Sequence, residues 1–382
     1  MAVTTVQSNN KGIKFRNSII REFVRGNMFS PYMGEDGTAV FRSFYEEGKY
    51  GGDQINVPLV KSLRGSGTGS GTLTGNEESI DNYGCRFWID WSRNAVTANK
   101  AEIKKGSFDI FAQAQPLLSD WGRTMQRDEM VLAMLSIPSE TAPTGLGSDA
   151  GQRINGILWS AASAANKNAW MVDNADRVLF GKLNSNASSG VFATAVANVD
   201  ATDDKASAAI VRLMKSKAEK ANPKIEPITT DDGYERYVMF VGSNAFRDLE
   251  ADAEIYAANK DARPREGTMY RKNPIFMDGD LLYHGVIIRK VPEIDILLTL
   301  TGVGASSINV APVFMCGRNA VGLVWGQMPE PTKLDDTDYQ FKKGIGVEMC
   351  YGAGKIFYKD KTTGNLVDWG IVTGFVASVD DA

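Results

Sequence analysis

The residue types that most often carry catalysis or bind metal ions are scarce in this chain. Its single histidine, His284, lies in the segment LLYHGVII between apolar runs, where we expect a packed structural role. The three cysteines, Cys85, Cys316 and Cys350, are too few and too widely separated for a disulfide framework or a zinc site. Cys316 and Cys350 lie in apolar segments typical of strands, where a thiol is usually packed and unreactive. These counts leave one candidate for any histidine-based triad.

Pairs of acidic residues are present, but their spacing does not suit acid–base catalysis. They include Glu77–Glu78, Asp203–Asp204, Asp231–Asp232 and Asp335–Asp336. Side chains adjacent in sequence point in different directions on a helix or a strand, so adjacency does not create a paired site. The run that begins at Asp335 also lacks the glycine and glutamate of a calcium loop, because positions 341 and 347 are Phe and Val.

The segment GSGTGSGTLTG, residues 65–75, invites a phosphate-binding interpretation that its details exclude. A Walker-type loop ends in Gly-Lys-Ser/Thr, and no lysine lies between Arg64 and Lys100. The dinucleotide motif G-x-G-x-x-G is absent from it, since positions 70 and 72 are Ser and Thr. No serine stands in a G-x-S-x-G setting. We therefore interpret the segment as a flexible loop and predict a protein that is not an enzyme and has no cofactor or metal.

Length and composition indicate a globular chain with more than one structural unit. The 382 residues are 43% hydrophobic and 23% charged, which suits two or three units with cores of their own. A formal charge of −4 argues against a dedicated nucleic-acid-binding protein, because such proteins are usually basic. No run of about 18 apolar residues exists, and the N-terminus has no apolar signal core. We predict neither a membrane-spanning segment nor secretion by a signal peptide.

The chain is organised around a long amphipathic helix between Ser107 and about Ile137. Its apolar stripe is Leu118, Trp121, Met125, Leu132 and Leu135, and Asp120, Arg123, Gln126, Arg127 and Glu129 fall largely between these positions. Pro116 removes a backbone hydrogen bond, so we predict a short turn before it and a long helix from Gln115 onward. Ser107 is a candidate cap, and Pro138 ends the pattern.

Two further stretches lie before this helix. The first, Lys14–Met28, has the pattern of a short amphipathic helix with Phe15 and Phe23 on its apolar side and several arginines around them. The second is a long hairpin, with strands over Gln54–Leu63 and within Ile80–Ala98 around the Gly-rich tip. Phe87, Ile89 and Trp91 are expected on one face and Trp88 on the other. Because bulky residues occupy both faces, we expect a neighbouring chain to cover this hairpin.

The second half of the chain alternates helices and strands. Residues 203–221 predict a helix that starts at Asp203 or Asp204, and RYVMFVG, residues 236–242, predicts a buried strand. A helix capped by Ser243 follows, and further strands are expected at 285–292, 309–317, 322–326 and beyond Tyr339. This order indicates an α/β unit, and the protruding arm and hairpin favour a subunit of a large symmetric assembly.

In that order, these parts resemble a tailed-phage major capsid protein with the Hong Kong 97-type fold, closest to the N-four-like podovirus branch. The phrases that carry the resemblance are RYVMFVGSNAFRDL (Arg236–Leu249), GVIIRKVPEI (Gly285–Ile294), APVFMCGRNAVGLVWGQ (Ala311–Gln327) and VDWGIVTG (Val367–Gly374). The resemblance implies an α+β fold with an N-terminal arm at 1–47 and an extended E-loop hairpin at 48–98. It further implies a peripheral domain with the spine helix at 99–205, an axial domain at 206–335, and return strands of the peripheral domain at 336–382.

The same resemblance implies a function. Such proteins assemble as hexamers and pentamers of an icosahedral head that encloses double-stranded DNA, in the virion, after assembly in the host bacterial cytoplasm. The implied partners are other copies of the chain, a portal, a separate scaffolding protein, packaged DNA bound non-specifically, and a decoration protein in some heads. The polar face of the spine helix should then look toward the shell interior or a neighbouring subunit.

Within this resemblance, individual residues are expected to contact other subunits or the packaged DNA. Phe15, Phe23, Phe87, Trp88 and Trp91 are the expected subunit contacts. Lys11, Lys14, Arg16, Arg21 and Arg25 are the expected DNA-facing residues, because non-specific affinity grows with each cation placed on a phosphate. Two alternatives remain open at this point: another self-assembling shell or tail structural protein, and a soluble α/β enzyme with an unusual loop.

Overall fold

The computed structural model describes residues 27–45, 54–63, 65–106, 109–147, 153–230, 233–262, 280–334, 339 and 341–379. Several predictions fall elsewhere. The arm residues Phe15 and Phe23, the five basic residues assigned to DNA, and the candidate cap Ser107 all lie outside the described residues.

Helices and strands alternate along the described chain. The helices are α1 Lys100–Lys105, α2 Ile110–Leu135, α3 Ala164–Asp173, α4 Phe192–Ala197, α5 Ala208–Lys220, α6 Ser243–Ala251, α7 Ala253–Ala262 and α8 Glu293–Leu298. The strands of the first half are β1 Met33–Gly34, β2 Phe41–Tyr45, β3 Gln54–Val60, β4 Asn82–Trp88, β5 Asp90–Asn99, β6 Val178–Phe180, β7 Ile228–Thr229 and β8 Glu235–Val241. Those of the second half are β9 Leu281–Tyr283, β10 Val286–Lys290, β11 Val310–Cys316, β12 Val321–Lys333, β13 Lys342–Lys355, β14 Phe357–Lys359, β15 Leu366–Asp368 and β16 Ile371–Ala377.

The main core surrounds a mixed sheet with the strand order β6-β16-β11-β8-β10-β9 and with β7 paired to β8. Its central strands are continuous apolar runs, as in sheets that are covered on both faces. Ile210 and Met214 of α5 and Phe246 of α6 belong to the hydrophobic cluster that packs on it. The strands predicted at 236–242 and 285–292 are therefore confirmed as β8 and β10.

The last strand of the chain joins the central sheet. We predict that residues 336–382 are return strands of the peripheral domain. Within that range, β16 pairs antiparallel with β11, with Met315 opposite Val372, and pairs in parallel with β6. The end of the chain thus lies within this sheet, between β6 and β11, and all of the residues of β16 are buried.

A second sheet has the order β1-β2-β12-β13-β5. By its internal contacts the chain divides into two compact units. Among the described residues, one unit comprises 93–124 and 329–348, and the other comprises 27–92, 125–328 and 349–379. The elements α2, β5, β12 and β13 each continue from one unit into the other.

The long helix α2 starts earlier than its sequence pattern predicts. It has 26 residues, begins at Ile110 and contains Pro116, so the predicted start at Gln115 is wrong. The Asp109 carboxylate supplies the reason, since its Oδ1 accepts hydrogen bonds from the backbone N–H of Phe111 at 3.0 Å and of Ala112 at 3.2 Å. This cap satisfies amides that the first turn leaves unpaired, and the helix runs through the proline. It ends before Pro138, as predicted.

Two other helix starts also differ from the prediction. Helix α5 begins at Ala208, because Asp204 is engaged elsewhere and accepts a hydrogen bond from the backbone N–H of Lys182 at 2.7 Å. Ser243 is the first helical residue of α6 and does not cap it. The cap comes from far along the chain, since Asp295 Oδ2 accepts from the N–H of Asn244 at 3.1 Å. Long-range caps of this kind cannot be recognised from local sequence.

Candidate subunit interface

The single histidine and the acidic residues were considered first for chemistry. Among the described residues, no cluster of His, Cys, Asp and Glu side chains could hold a metal ion. The prediction of a packed His284 is wrong: it is exposed, and with Gly285 it forms the turn between β9 and β10 at φ values of 53° and 78°. These angles suit a tight two-residue hairpin turn. No helix in the described chain is long and apolar enough to cross a membrane.

The cysteines behave as predicted for packed thiols. All three are free and buried. Burial raises the pKa of the Cys85 thiol to about 12 and that of Cys350 to about 11, and it raises the pKa of Cys316 as well. Such thiols stay protonated near neutral pH, which leaves little of the reactive thiolate.

The predicted hairpin is confirmed, but its inner face is covered by its own chain. Strands β3 and β4 pair antiparallel from Gln54 opposite Trp88 to Val60 opposite Asn82. Ile55, Val57 and Leu59 alternate inward and are buried. Together with Cys85 and Phe87 they belong to a cluster that includes Phe357, Tyr358 and Val367 of β14 and β15. A neighbouring chain is therefore not needed to cover this face, and the expected cover by a neighbour stays a prediction for the other face.

The hairpin loop beyond these strands is exposed. Every described residue from Ser62 to Asn82 is exposed, including Leu63 at 60%, Leu73 at 62% and Ile80 at 67%. The loop also carries the carboxylates Glu77, Glu78 and Asp81. An exposed segment with several large apolar side chains is a candidate for contact with another protein surface.

The two tryptophans at the end of the hairpin, both predicted as subunit contacts, lie in different environments. Strand pairing is interrupted at Ile89, between β4 and β5, so the alternation of side chains changes phase. Trp88 is 5% exposed, and its backbone N–H donates to Asn155 Oδ1 at 2.8 Å. Phe87 is fully buried, whereas Trp91 is 49% exposed. Phe87 and Trp88 thus have no surface to offer a subunit contact, and Trp91 remains available for one.

Part of the polar face of α2 also points inward. Arg127 and Glu129 are 7% and 8% exposed. Arg127 Nη1 lies 3.3 Å from Glu293 Oε1 on α8. Glu129 Oε1 lies 2.7 Å from Arg153 Nη2, and its other oxygen accepts a hydrogen bond from the hydroxyl of Tyr351. The expectation that this face looks toward the shell interior or a neighbour is wrong for these two residues, because their charges are neutralised within the chain.

A buried polar network was not recognised in the sequence. Lys355 Nζ lies 2.7 Å from Asp368 Oδ2, and each side chain is 1% exposed. The indole N–H of Trp170 donates to the same carboxylate oxygen at 3.2 Å, and Arg177 donates to the backbone carbonyl of Asp368. Burial lowers the pKa of Lys355, while the Asp368 charge opposes that shift. The only sequence signal was a lysine and an aspartate inside otherwise apolar strands.

A further exposed apolar site lies on and after α8. Ile296 is 78% exposed, Leu297 is 36% exposed and Val303 is 41% exposed. The opposite side of α8 is anchored in the core by Ile294 and Leu298. Exposed apolar groups on an anchored helix are a second candidate for contact with another protein.

Comparison with known proteins shows the family of the chain. The model of the family described as phage capsid protein matches residues 3–379. The chain belongs to this phage capsid protein family. The capsid of cyanophage Pam1 is similar in structure with a TM-score of 0.83 and 31% sequence identity, and the match covers 100% of both chains. No curated protein matches the sequence significantly.

More distant capsid structures share the fold. The capsid of Ralstonia phage GP4 matches with a TM-score of 0.72 and 20% identity over 100% of both chains. The acid-stable capsid of Helicobacter pylori bacteriophage KHP30 matches with a TM-score of 0.65 and 12% identity over 97% of this chain and 96% of that one. The predicted Hong Kong 97-type fold is confirmed, and so is the predicted function of a major capsid protein that forms an icosahedral phage shell.

Proposed function

We propose that this capsid protein assembles as hexamers and pentamers of a phage head that encloses double-stranded DNA. The observation that carries the proposal is the similarity of the whole chain to the Pam1 capsid subunit, with a TM-score of 0.83 over all residues of both chains. Heterologous contacts between identical subunits generate closed rings, as pentamers and hexamers require. The exposed apolar groups of the hairpin loop and of α8 supply surfaces for such contacts.

The proposal includes the finer assignments made from the sequence. The protein would belong to the N-four-like podovirus branch, assemble in the bacterial cytoplasm with a separate scaffolding protein and a portal, and accept a decoration protein in some heads. The arm at 1–47 and the hairpin at 48–98 would reach neighbouring subunits. The peripheral parts would comprise 99–205 and 336–382, and 206–335 would pack around the symmetry axes, with the sheet shared between these ranges as β16 requires.

The burial of side chains reduces the number of residues that we propose as subunit contacts. Among the proposed subunit contacts, Trp91 is exposed, whereas Phe87 and Trp88 are held in the core of their own chain. Phe15 and Phe23 are retained as proposed contacts of the arm. The basic residues Lys11, Lys14, Arg16, Arg21 and Arg25 are retained as proposed DNA-facing residues on the grounds of charge alone.

Electron microscopy of particles made by the full-length protein tests the proposal. The expected result is an icosahedral shell with hexameric and pentameric capsomers that is filled with double-stranded DNA in infected cells. Tubes without a genome would indicate a tail structural protein, and hollow shells filled with other cargo would indicate a compartment protein. Either result, or a dispersed monomer at high concentration, would overturn the proposal.

A further inference from the structure

The unit formed by residues 93–124 and 329–348 carries a concentrated group of lysines. Three lie on α1 and two at the start of β13. We call this group the α1 lysine patch: Lys100, Lys104, Lys105, Lys342 and Lys343. The two elements are held together at this point, because the backbone N–H of Lys100 donates to the carbonyl oxygen of Phe341 at 2.8 Å. A backbone bond of this kind fixes where the lysine stems begin and leaves the ammonium groups free to move.

Helix α1 presents two of its three lysines outward. Lys100, Ala101 and Ile103 are half-buried, whereas Lys104 and Lys105 are exposed. Residues four apart on a helix lie on the same side, about 6 Å apart at Cβ, so Lys100 and Lys104 project together. Lys342 and Lys343 are exposed as well. The patch therefore offers several cations to one partner.

Acidic partners are few among these lysines, although Lys220 and Lys224 elsewhere in the described chain also make no ion pair. Within the described residues, Lys105 pairs with Glu102 at 3.6 Å, and the other four make no ion pair with a carboxylate. Elsewhere, Lys359 lies 2.6 Å from Glu140, Lys361 3.3 Å from Asp81 and Lys182 3.0 Å from Asp203. In a chain with a net charge of −4, exposed lysines that make no ion pair with a described carboxylate are available to an external anion.

We propose that the α1 lysine patch binds the phosphate backbone of double-stranded DNA. The ligand class follows from the form of the site: lysines on long stems behave as point charges and make no demand for a planar partner. They therefore suit an array of phosphates whose exact position varies. The patch contains no buried polar group that could read a base, so the binding is independent of sequence. This inference rests on the proposed enclosure of DNA and adds a contact site on the folded part of the chain, distinct from the basic arm.

The test compares two variants with the same change in net charge. In the patch variant, Lys100, Lys104, Lys105, Lys342 and Lys343 are each replaced by Gln. In the control variant, the exposed lysines Lys182, Lys220, Lys224, Lys359 and Lys361 are each replaced by Gln. Affinity of the unassembled full-length chain for a short linear double-stranded DNA is measured across a series of salt concentrations. Circular dichroism of both variants checks that each one is folded.

Counterion release sets the expected size of the effect. Each phosphate neutralised contributes about −0.9 to the slope of log affinity against log salt, so loss of the patch should reduce that slope by about 4. The control variant should keep the slope of the unmodified protein. A third variant with the five patch lysines replaced by Arg should keep it too, because the charge is retained. Equal losses in the patch and control variants, or no loss in either, would overturn the inference.

Measurements on assembled phage heads distinguish failure of this inference from failure of the proposed function on which it depends. Phage heads built from the patch variant should lose their DNA at a lower temperature than heads built from the control variant, while forming in normal numbers. If the unmodified protein never forms DNA-filled shells, the proposed function itself fails. If the patch variant binds DNA normally but no longer assembles, the lysines bind another protein surface, such as the acidic hairpin loop of a neighbouring copy, and the DNA site is refuted.

Discussion

Lys355 and Asp368 form an ion pair in the interior of the capsid protein, with 2.7 Å between the ammonium and one carboxylate oxygen. The pair joins the end of β13 to β15, and Trp170 of α3 donates to the same oxygen. Two charges removed from water are stabilised only when they face each other and find further hydrogen bonds. The pair therefore specifies how these three elements meet more than it adds to stability.

Removal of one partner of this ion pair should strongly destabilise the fold. Asp368→Ala leaves an unpaired ammonium in the core, and we expect the free energy of unfolding to fall by about 3–5 kcal/mol. Urea denaturation of the unassembled protein measures the change. The double variant Lys355→Met with Asp368→Leu is the control, since it removes both charges. If the single and double variants lose the same stability, the charge is not the cause.

Alanine substitution should affect the free energy of unfolding very differently at Trp88 and at Trp91. Trp88→Ala removes a buried side chain, so we expect the free energy of unfolding to fall by about 3–5 kcal/mol. Trp91 is 49% exposed, and Trp91→Ala should change it by no more than about 0.5 kcal/mol. If Trp91 contacts a neighbour, its variant should assemble at a higher protein concentration, as followed by light scattering. Normal assembly of the Trp91 variant would remove this residue from the interface.

The turn at Gly181 should not accept a side chain. A Cβ there would lie 2.1 Å from the Asp204 carboxylate carbon, and the residue has φ of +57°. We expect Gly181→Ala to lower the free energy of unfolding by about 3 kcal/mol or more, since backbone strain and a steric clash add. Gly364 is the matched control, with φ of +77° and open space around it. Gly364→Ala should cost only about 1–2 kcal/mol of backbone strain. Equal losses at both positions in thermal melts would show that the Asp204 contact is unimportant.

The distant cap of α6 can be tested at Asp295. Asp295→Ala removes the acceptor for the N–H of Asn244, and loss of a helix cap typically costs about 1 kcal/mol. Asp295→Asn keeps a side-chain oxygen and should retain most of the stability. Hydrogen exchange of the first-turn amides of α6 gives a local measurement. Unchanged protection in the alanine variant would mean that this carboxylate does not cap the helix.

Alkaline pH should destabilise the fold partly through Cys350. Burial, with the nearby Asp90 charge, raises the pKa of this thiol to about 11, whereas a thiol in an unfolded chain titrates near pH 8.5. Between these values the folded state binds more protons than the unfolded state, so the free energy of unfolding falls as pH rises. In Cys350→Ala the fall between about pH 9 and pH 11 should be shallower. Parallel pH profiles for the two proteins, measured by urea denaturation, would contradict this assignment.

Local patterns were sufficient for much of the fold. The apolar runs of β8 and β10 predicted buried strands, and the alternation of Ile55, Val57 and Leu59 predicted one face of the hairpin. These signals succeed because side-chain periodicity reports which face of an element is buried. Several predictions failed where a distant residue intervened, as when Asp295 provided a cap or when Asp204 was engaged by Lys182. The start of α2 was predicted wrongly although its cap, Asp109, is local.

In the candidate interface, too, some features could not be predicted from local sequence patterns. Trp88 and Trp91 are chemically alike and three residues apart, and only the interruption at Ile89 decides which one is exposed. The inward direction of Arg127 and Glu129 likewise depends on Glu293 and Arg153, which are distant in sequence. Neither outcome leaves a signal within a short window of the chain.

The sequence by itself indicated a structural subunit of a large assembly, and its order of elements led to the capsid fold. Residue types and periodicity are enough for these conclusions, because they limit the available chemistry and the buried faces. Only the tertiary structure decided that β16 completes the central sheet, that the hairpin base is covered by β14 and β15, and that Lys104, Lys342 and Lys343 make no ion pair with a described carboxylate. Each of these depends on contacts between residues far apart in the chain, and those contacts exist only after the chain has folded.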